Sequence, residues 1–399
     1  MKFTLDKSAI GTEKHLSYAD GKLKWVDEVE PMSWHVTNGS VIGKNFNDLV
    51  KLSLQEFDFL PPKKYVDMMK TFSSVDLSSV PWRQVMTKRE HAAFVKALLN
   101  KVEGFLCTAP MNYYDGTWVK ASAVFNNLQR AKINKKLLKE LFDENKGNIS
   151  ALQTFVPRDD GFANEIVYNR FATETGRLTV KSGPHILELK REHRNIIESV
   201  HSDDGEICII DFNALEPRVV LYEANKSCEN KDIYSHVAKE YELTRTEAKA
   251  GTICTMYGAG TNLIVETLQC DEARADEISN AIRKYYEIRA LTNRIKTQFI
   301  KEGTLQTRFG RPLKIDDPRS SVLLNHFVQG TGCDVVLLAF SNITEEMKTK
   351  TPNCRPLFMI HDALVIDALK SELPKLDELL TVKVSSYVQR FYLKRTKIY

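Results

Sequence analysis

The sequence predicts an α+β fold whose sheet is assembled from two separated stretches of chain. Two short apolar stretches predict that sheet. One is the run Ile207 to Ile210, which ends in Asp211; the other is PLFMI (356–360) and ALVID (363–367), flanking His361-Asp362 as strands joined by a tight turn. Helical patterns over about 85–150 and from Asp232 to about Ala290 supply the rest. The order helices, sheet, helices, sheet, helix places the Asp211 run and the His361 hairpin in one discontinuous domain.

Taken in order, residues 1–75 read as a small β-rich region. Asp20-Gly21 sits between HLSY and KLKWV, and Asn38-Gly39 between SWHV and SVIG; both dipeptides readily take the positive φ angles of tight hairpins. Pro61-Pro62 punctuates the region. In KREHAAFVKALLNKVEGFL (88–106) and SAVFNNLQRAKINKKLLKELFDENKG (122–147) apolar residues recur at helical spacing. Leu128, Ile133, Leu137, Leu138, Leu141 and Phe142 then face inward, leaving Arg130, Lys132, Lys135, Lys136 and Lys139 on the outer face. Such a basic run suits phosphates, and equally suits a solvated helix surface. Further on, Thr244 with Glu247 makes a capping box, so a helix starts there. Arg245, Lys249, Ile253 and Tyr257 follow at steps of four, drifting by about 120° in total and so staying on one broad face.

Composition narrows the class. With 43% apolar and 27% charged residues in 399, the chain is ordinary globular protein with ample core. No uninterrupted apolar run approaches the ~18 residues that span a bilayer, and no apolar h-region follows the start. The seven cysteines are scattered, with no CxxC pair, which fits a reducing interior better than disulfides or structural zinc. A soluble, intracellular chain without membrane contact is expected. The net charge of +4 is too small to name a partner.

Three features carry chemistry. Asp211 and Asp362 each follow an apolar strand, and two such tips can sit side by side; paired carboxylates are what two-metal phosphoryl transfer needs. A strand-end Asp also serves ordinary turns. The helix from Arg245 offers two cations near its N-terminus, then an apolar and an aromatic residue, a pattern suited to a nucleoside triphosphate. An exposed basic face would look the same.

Together these segments resemble the family A (DNA polymerase I-like) polymerases. DFNALEPR from Asp211 to Arg218 is similar to the family's first palm motif, and Arg245, Lys249, Ile253, Tyr257 and Gly258 match its fingers motif. FMIHDA (358–363) resembles the third motif; TGRL (175–178) and NHFVQGT (325–331) match flanking segments, all in family order. The resemblance implies a right-hand polymerase fold, an antiparallel palm sheet with helical fingers and thumb, plus the small β-rich N-terminal extension. It implies domains over 1–75 (extension, role unknown), 76–165 (thumb), 166–230 (palm), 231–334 (fingers) and 335–399 (palm again). It implies a template-directed DNA polymerase using primer-template DNA and dNTPs, a monomer working with other replication proteins. Asp211, Asp362 and the Phe212 main-chain carbonyl would hold two Mg²⁺ ions, with Mn²⁺ able to substitute. Arg245 and Lys249 would grip the triphosphate, and Lys249 would protonate pyrophosphate. Tyr257, Ile253 and Tyr234 would line the nucleotide, and Glu216 would exclude a 2′-hydroxyl. Arg177, Asn325, Gln329, His361 and Arg218 would contact primer and template, and Lys132, Lys135 and Lys136 the duplex.

The departures from the family pattern are Ile253 for an aromatic, Ala214 for Gln, Pro217 for Leu, Ala363 for the acid after Asp362, Tyr234 for a His, and Ser321 for an Arg. The short spacing from Tyr234 to Arg245 implies trimmed fingers. Residues 1–165 lack the acids of a proofreading exonuclease, which suggests a compact viral or mobile-element enzyme. The alternatives are a single-subunit RNA polymerase or primer-synthesising enzyme, against which Glu216 speaks, and a degenerate DNA-binding scaffold, against which the retained acids and cations speak.

Overall fold

The computed structural model describes residues 1–37, 41–57, 62–69, 71, 81–144, 146–258 and 260–398; Asn38-Gly39, Pro61 and the expected 75/76 boundary lie outside the described residues. The chain divides into two compact units, Met1–Tyr114 and Asp115–Tyr399. The helix Lys88–Thr108 lies in the first of these units, with the N-terminal sheet. Packing explains why. Its apolar stripe includes Phe105, whose ring meets Phe46 edge-on at 5.1 Å, and Tyr18 of the sheet donates a 2.8 Å hydrogen bond to Glu103 of the helix.

The N-terminal sheet has the order Lys22–Val26, His15–Ala19, Lys2–Leu5, Trp34–Val36, Lys44–Asn45. Asp20 and Gly21 close the first hairpin with φ of 49° and 80°, the geometry the dipeptide predicts. Among the described residues, Trp34–Val36 pairs in parallel with Lys2–Leu5 and Lys44–Asn45, and residues 41–43 are not in a strand.

The second unit is built on an antiparallel sheet ordered Arg355–Ile360, Ala363–Leu369, Gly205–Phe212, Arg390–Lys397, Thr381–Lys383. The two separated stretches thus pair directly, as the sequence pattern predicts. Period-two alternation gives each face a core. Cys208, Ile210, Phe212, Leu364 and Ile366 pack towards the helices Leu215–Glu223 and Ser320–Lys350. Ile207, Phe358 and Val365 pack towards the segment from Ala131 to Ile197. The outer edge strand is closed by Tyr168, whose hydroxyl donates to the Met359 carbonyl and accepts from its N–H, both at 2.8 Å.

Between the sheet segments lie the helices Ile233–Glu240, Arg245–Met256, Thr261–Leu268, Glu272–Tyr285 and Ile288–Glu302. The 31-residue helix Ser320–Lys350 runs straight through the expected 334/335 boundary. It is long and apolar enough to span a bilayer, yet 72% of its most apolar window is buried inside the protein, as befits a central core helix. The stretch 122–147 is less continuously helical than its periodicity suggests. Lys132–Ile133 is a strand paired with Ile197–Glu198, and Asn134 then caps a new helix, Lys135–Asp143.

Candidate active site

Asp211 lies at the end of the strand Gly205–Phe212, with Ala363 opposite it on one side and Lys394 on the other. Asp362 stands in the two-residue turn before Ala363, where His361 takes φ +52°. Both carboxylates thus come to the same end of the sheet, and both line one cavity of about 790 Å³. Burial pushes the Asp211 carboxyl up to about 6, with the Asp362 charge adding to the rise and Lys394, 3.8 Å away, opposing it. Burial also raises Asp362. Two hard-oxygen groups, crowded and partly desolvated, form a donor set that fits divalent cations.

The same cavity is lined by Arg177, Glu216, Tyr234, Arg245, Lys249, Ile253, Tyr257, Gln329, His361 and Phe212. Local folding explains their placement. The Thr244–Glu247 capping box starts the helix Arg245–Met256 as predicted. Arg274 clasps Glu247 as well, at 2.9 and 3.2 Å, and that ion pair holds the Glu247 carboxyl down at about 2. Ala248, Gly251, Thr252 and Thr255 turn inward, so the i, i+4 face carrying Arg245, Lys249 and Ile253 meets the cavity. Arg245 pairs with Asp232 at 2.6 Å, and Asp232 in turn caps the helix that carries Tyr234. Burial raises the Tyr234 hydroxyl to about 12, so it stays a neutral phenol.

Glu216 opens the helix Leu215–Glu223, and its carboxylate is held from two sides. Arg177 donates at 2.9 Å and the Tyr257 hydroxyl at 2.5 Å. The Arg177 loop is itself pinned by the buried Arg311, which donates to the carbonyls of Thr175 at 3.0 Å and Gly330 at 2.8 Å and pairs with Asp334. Gly176 is required there: its φ is +79°, and a Cβ would sit 2.5 Å from the Arg311 guanidinium.

Not every expected contact residue reaches the cavity. Arg218 is fully buried and donates to the carbonyls of Asn213, Cys228, Asn230 and Lys231 at 2.6–3.0 Å. The expected DNA contact is therefore corrected: a guanidinium with its donors used on backbone carbonyls holds the turn leading into Asp232. Asn325 is outside the cavity lining and donates to the Tyr257 carbonyl at 3.3 Å. Lys135 and Lys136 are exposed on the first turn of their helix, whereas Lys132 is half-buried and pairs with Glu198 at 3.4 Å. Lys231 and Lys394 line the cavity without having been singled out. The register Asp211↔Lys394 would have found the second, but register across a chain separation this long leaves no local signal.

In the N-terminal unit, Asp6, His15 and His35 form a separate cluster whose ligand atoms lie within 4.8 Å of one another, close enough to hold a metal ion.

Residues 98–394 match the family model for DNA polymerase family A. This chain belongs to that family. Among its relatives, DNA polymerase I of Bacillus caldotenax is 24% identical over 259 residues, 56% of this chain and 29% of that protein. DNA polymerase I of Aquifex aeolicus is 23% identical over 246 residues, 53% of this chain and 40% of that protein. The matched part thus spans well under half of these relatives. Among solved structures, the POL domain of Pol1 from M. smegmatis, in complex with DNA primer-template and dNTP, aligns with a TM-score of 0.51 at 18% identity. That alignment covers 65% of this chain and 50% of the other. The family A architecture is therefore the right-hand polymerase fold expected from the motifs, and membership supports nucleotidyltransferase activity at the level of the family.

Proposed function

We propose that this chain is a template-directed DNA polymerase that extends a primer 3′-hydroxyl with dNTPs. The observation that carries the reading is the convergence of Asp211, Asp362, Arg245, Lys249, Tyr257 and Glu216 on one cavity, from elements far apart in sequence. Asp211, Asp362 and the Phe212 carbonyl would hold two Mg²⁺ ions, which when bound supply charge neutralisation for phosphoryl transfer; Mn²⁺ fits the same oxygens. Arg245 and Lys249, one turn apart on the cavity face, bind the triphosphate, and Lys249 delivers a proton to the leaving pyrophosphate. Arg245 must first exchange Asp232 for a phosphate. Tyr257 closes the helix against the nascent base pair while Ile253 and Tyr234 flank the nucleotide. Glu216, fixed by Arg177 and Tyr257, forms a rigid wall under the sugar, so a 2′-hydroxyl is refused by shape. Arg177, Gln329 and His361 line the cavity, and in this reading they contact the minor groove, where acceptors vary little with sequence. Asn325 acts through the Tyr257 carbonyl, and Lys135 and Lys136 offer charge to a duplex backbone.

In this reading the antiparallel sheet is the palm and the helices from Ile233 onward are the fingers. The reading includes no proofreading chemistry in residues 1–165. The phage or mobile-element source expected from the sequence draws no support from the bacterial relatives. Primer extension by the full chain with dNTPs or rNTPs, on DNA and on RNA templates, tests the proposal. Addition of dNTPs on DNA is expected; preference for rNTPs would favour the RNA polymerase or primase reading, and no addition of either would favour the scaffold.

A further inference from the structure

We propose that Lys394 is a resident cation of the carboxylate pair: it occupies Asp211 until a divalent ion displaces it, and so sets the ion concentration at which the site fills. The inference rests on the reading of Asp211 and Asp362 as metal ligands. It starts from register. Directly opposed residues in an antiparallel pair project from the same face, so Ala363, Asp211 and Lys394 form one row across three strands. Ala363 leaves the row uncharged on one side of Asp211, and Lys394 puts an ammonium on the other.

The geometry fits a removable partner better than a structural one. Nζ of Lys394 lies 3.8 Å from Oδ2 of Asp211, and the lysine side chain is 56% exposed. Its strand neighbour Arg395 is tied down by Asp377 at 2.8 Å and Glu206 at 3.3 Å, and Lys397 by Glu206 at 3.3 Å. Among the described residues, Asp211 is the acid with which Lys394 pairs. A flexible four-carbon stem allows the ammonium to swing into the cavity it already lines. A divalent ion on the same carboxylate would stand within a few ångströms of the lysine, where like charges repel strongly, so ion binding and the Lys394–Asp211 contact exclude each other. Lys394 is thus a positioning residue: it acts on the reaction through Asp211.

The test is Mn²⁺ binding to the full chain without DNA, read from the electron paramagnetic resonance of the free ion, so that it does not depend on turnover. An Asp211→Asn/Asp362→Asn double variant defines the ions bound elsewhere, including any at Asp6, His15 and His35. Lys394→Met is expected to bind the site-specific Mn²⁺ at least threefold more tightly than the parent, and Lys394→Arg to bind like the parent. The Mg²⁺ concentration for half-maximal primer extension should fall in parallel for Lys394→Met. Unchanged or weaker binding in Lys394→Met overturns the proposal, as does an equal shift in Lys394→Arg, which would make packing rather than charge the cause. Weaker primer-template affinity with unchanged Mn²⁺ binding would make Lys394 a DNA contact instead. If the double variant binds Mn²⁺ as well as the parent, the metal-ligand reading itself falls, and this inference with it.

Discussion

Two clusters of potential metal ligands, one in each unit, behave in opposite ways. In the N-terminal unit, Asp6 accepts hydrogen bonds from His35 at 2.8 Å and from the Ser8 N–H and hydroxyl at 2.8 and 2.6 Å. Both histidines also accept backbone N–H groups, His15 from Lys7 at 3.1 Å and His35 from Ile42 at 3.0 Å. Burial acts to raise Asp6, but these hydrogen bonds outweigh it and hold the carboxyl well below its usual range. In the second unit, burial raises both Asp211 and Asp362, and the Asp362 charge adds to the rise at Asp211. The Asp6 cluster can hold an ion by spacing, yet its charge is already answered from within. The Asp211 pair is answered only in part, by Lys394 at 3.8 Å, and partly answered carboxylates of this kind are what the proposed metal site requires. Glu216 belongs to the first kind although it sits beside the second: fully clasped, it shapes the cavity instead of filling it.

The contrast can be broken by substitution. The largest effect is expected from Asp362→Ala, which should cut nucleotide addition at least ~100-fold while leaving primer-template affinity within a few-fold, as single-turnover extension and a binding titration would read. Asp6→Asn should do the reverse: destabilise the fold by about 1–2 kcal/mol at pH 7 through weakened charge-assisted hydrogen bonds, and leave extension by the folded protein unchanged. Because the native Asp6 carboxyl is depressed, its stabilisation is full above the reference value of 3.8 and lost as pH falls through the native value, so thermal melts of parent and variant should converge in acid.

Glu216→Ala sharpens the comparison inside the site. Removing a clasped wall should raise ribonucleotide incorporation about tenfold, roughly 1.4 kcal/mol of discrimination, measured as the ratio of rNTP to dNTP rates. An unchanged ratio would mean that Glu216 is not the gate. The smallest effect is expected for Asp211→Asn on stability. A raised carboxyl favours the protonated native state, so its contribution is present below 3.8 and lost as pH rises through about 6. In metal-free buffer the variant should therefore be more stable than the parent at pH 8, by about 1 kcal/mol after allowing for partial exposure, and equal to it near pH 4.

How far these regions could be read in advance follows the range of the forces involved. The strand runs ending at Asp211 and His361, the capping box at Thr244 and the turn at Asp20-Gly21 are local, and each appears where its residues dictate. The Arg245 to Tyr257 face is set by helix period alone, and it meets the cavity. Burial of Arg218 was not legible, because an arginine in a motif looks the same whether its donors face DNA or backbone carbonyls. Nor was the place of the helix Lys88–Thr108: its amphipathic pattern says that it packs, not against which sheet. The Lys394 row depends on register between strands far apart in sequence, which no local pattern encodes.

Primer extension by the parent, Asp211→Asn and Asp6→Asn proteins, run side by side with dNTPs and Mg²⁺ on one primer-template, bears most directly on the claim that the unanswered carboxylates are the working ones. Extension by the parent and by Asp6→Asn, with none by Asp211→Asn, is the predicted result. Activity in Asp211→Asn above a tenth of the parent, or its loss in a folded Asp6→Asn protein, would contradict it.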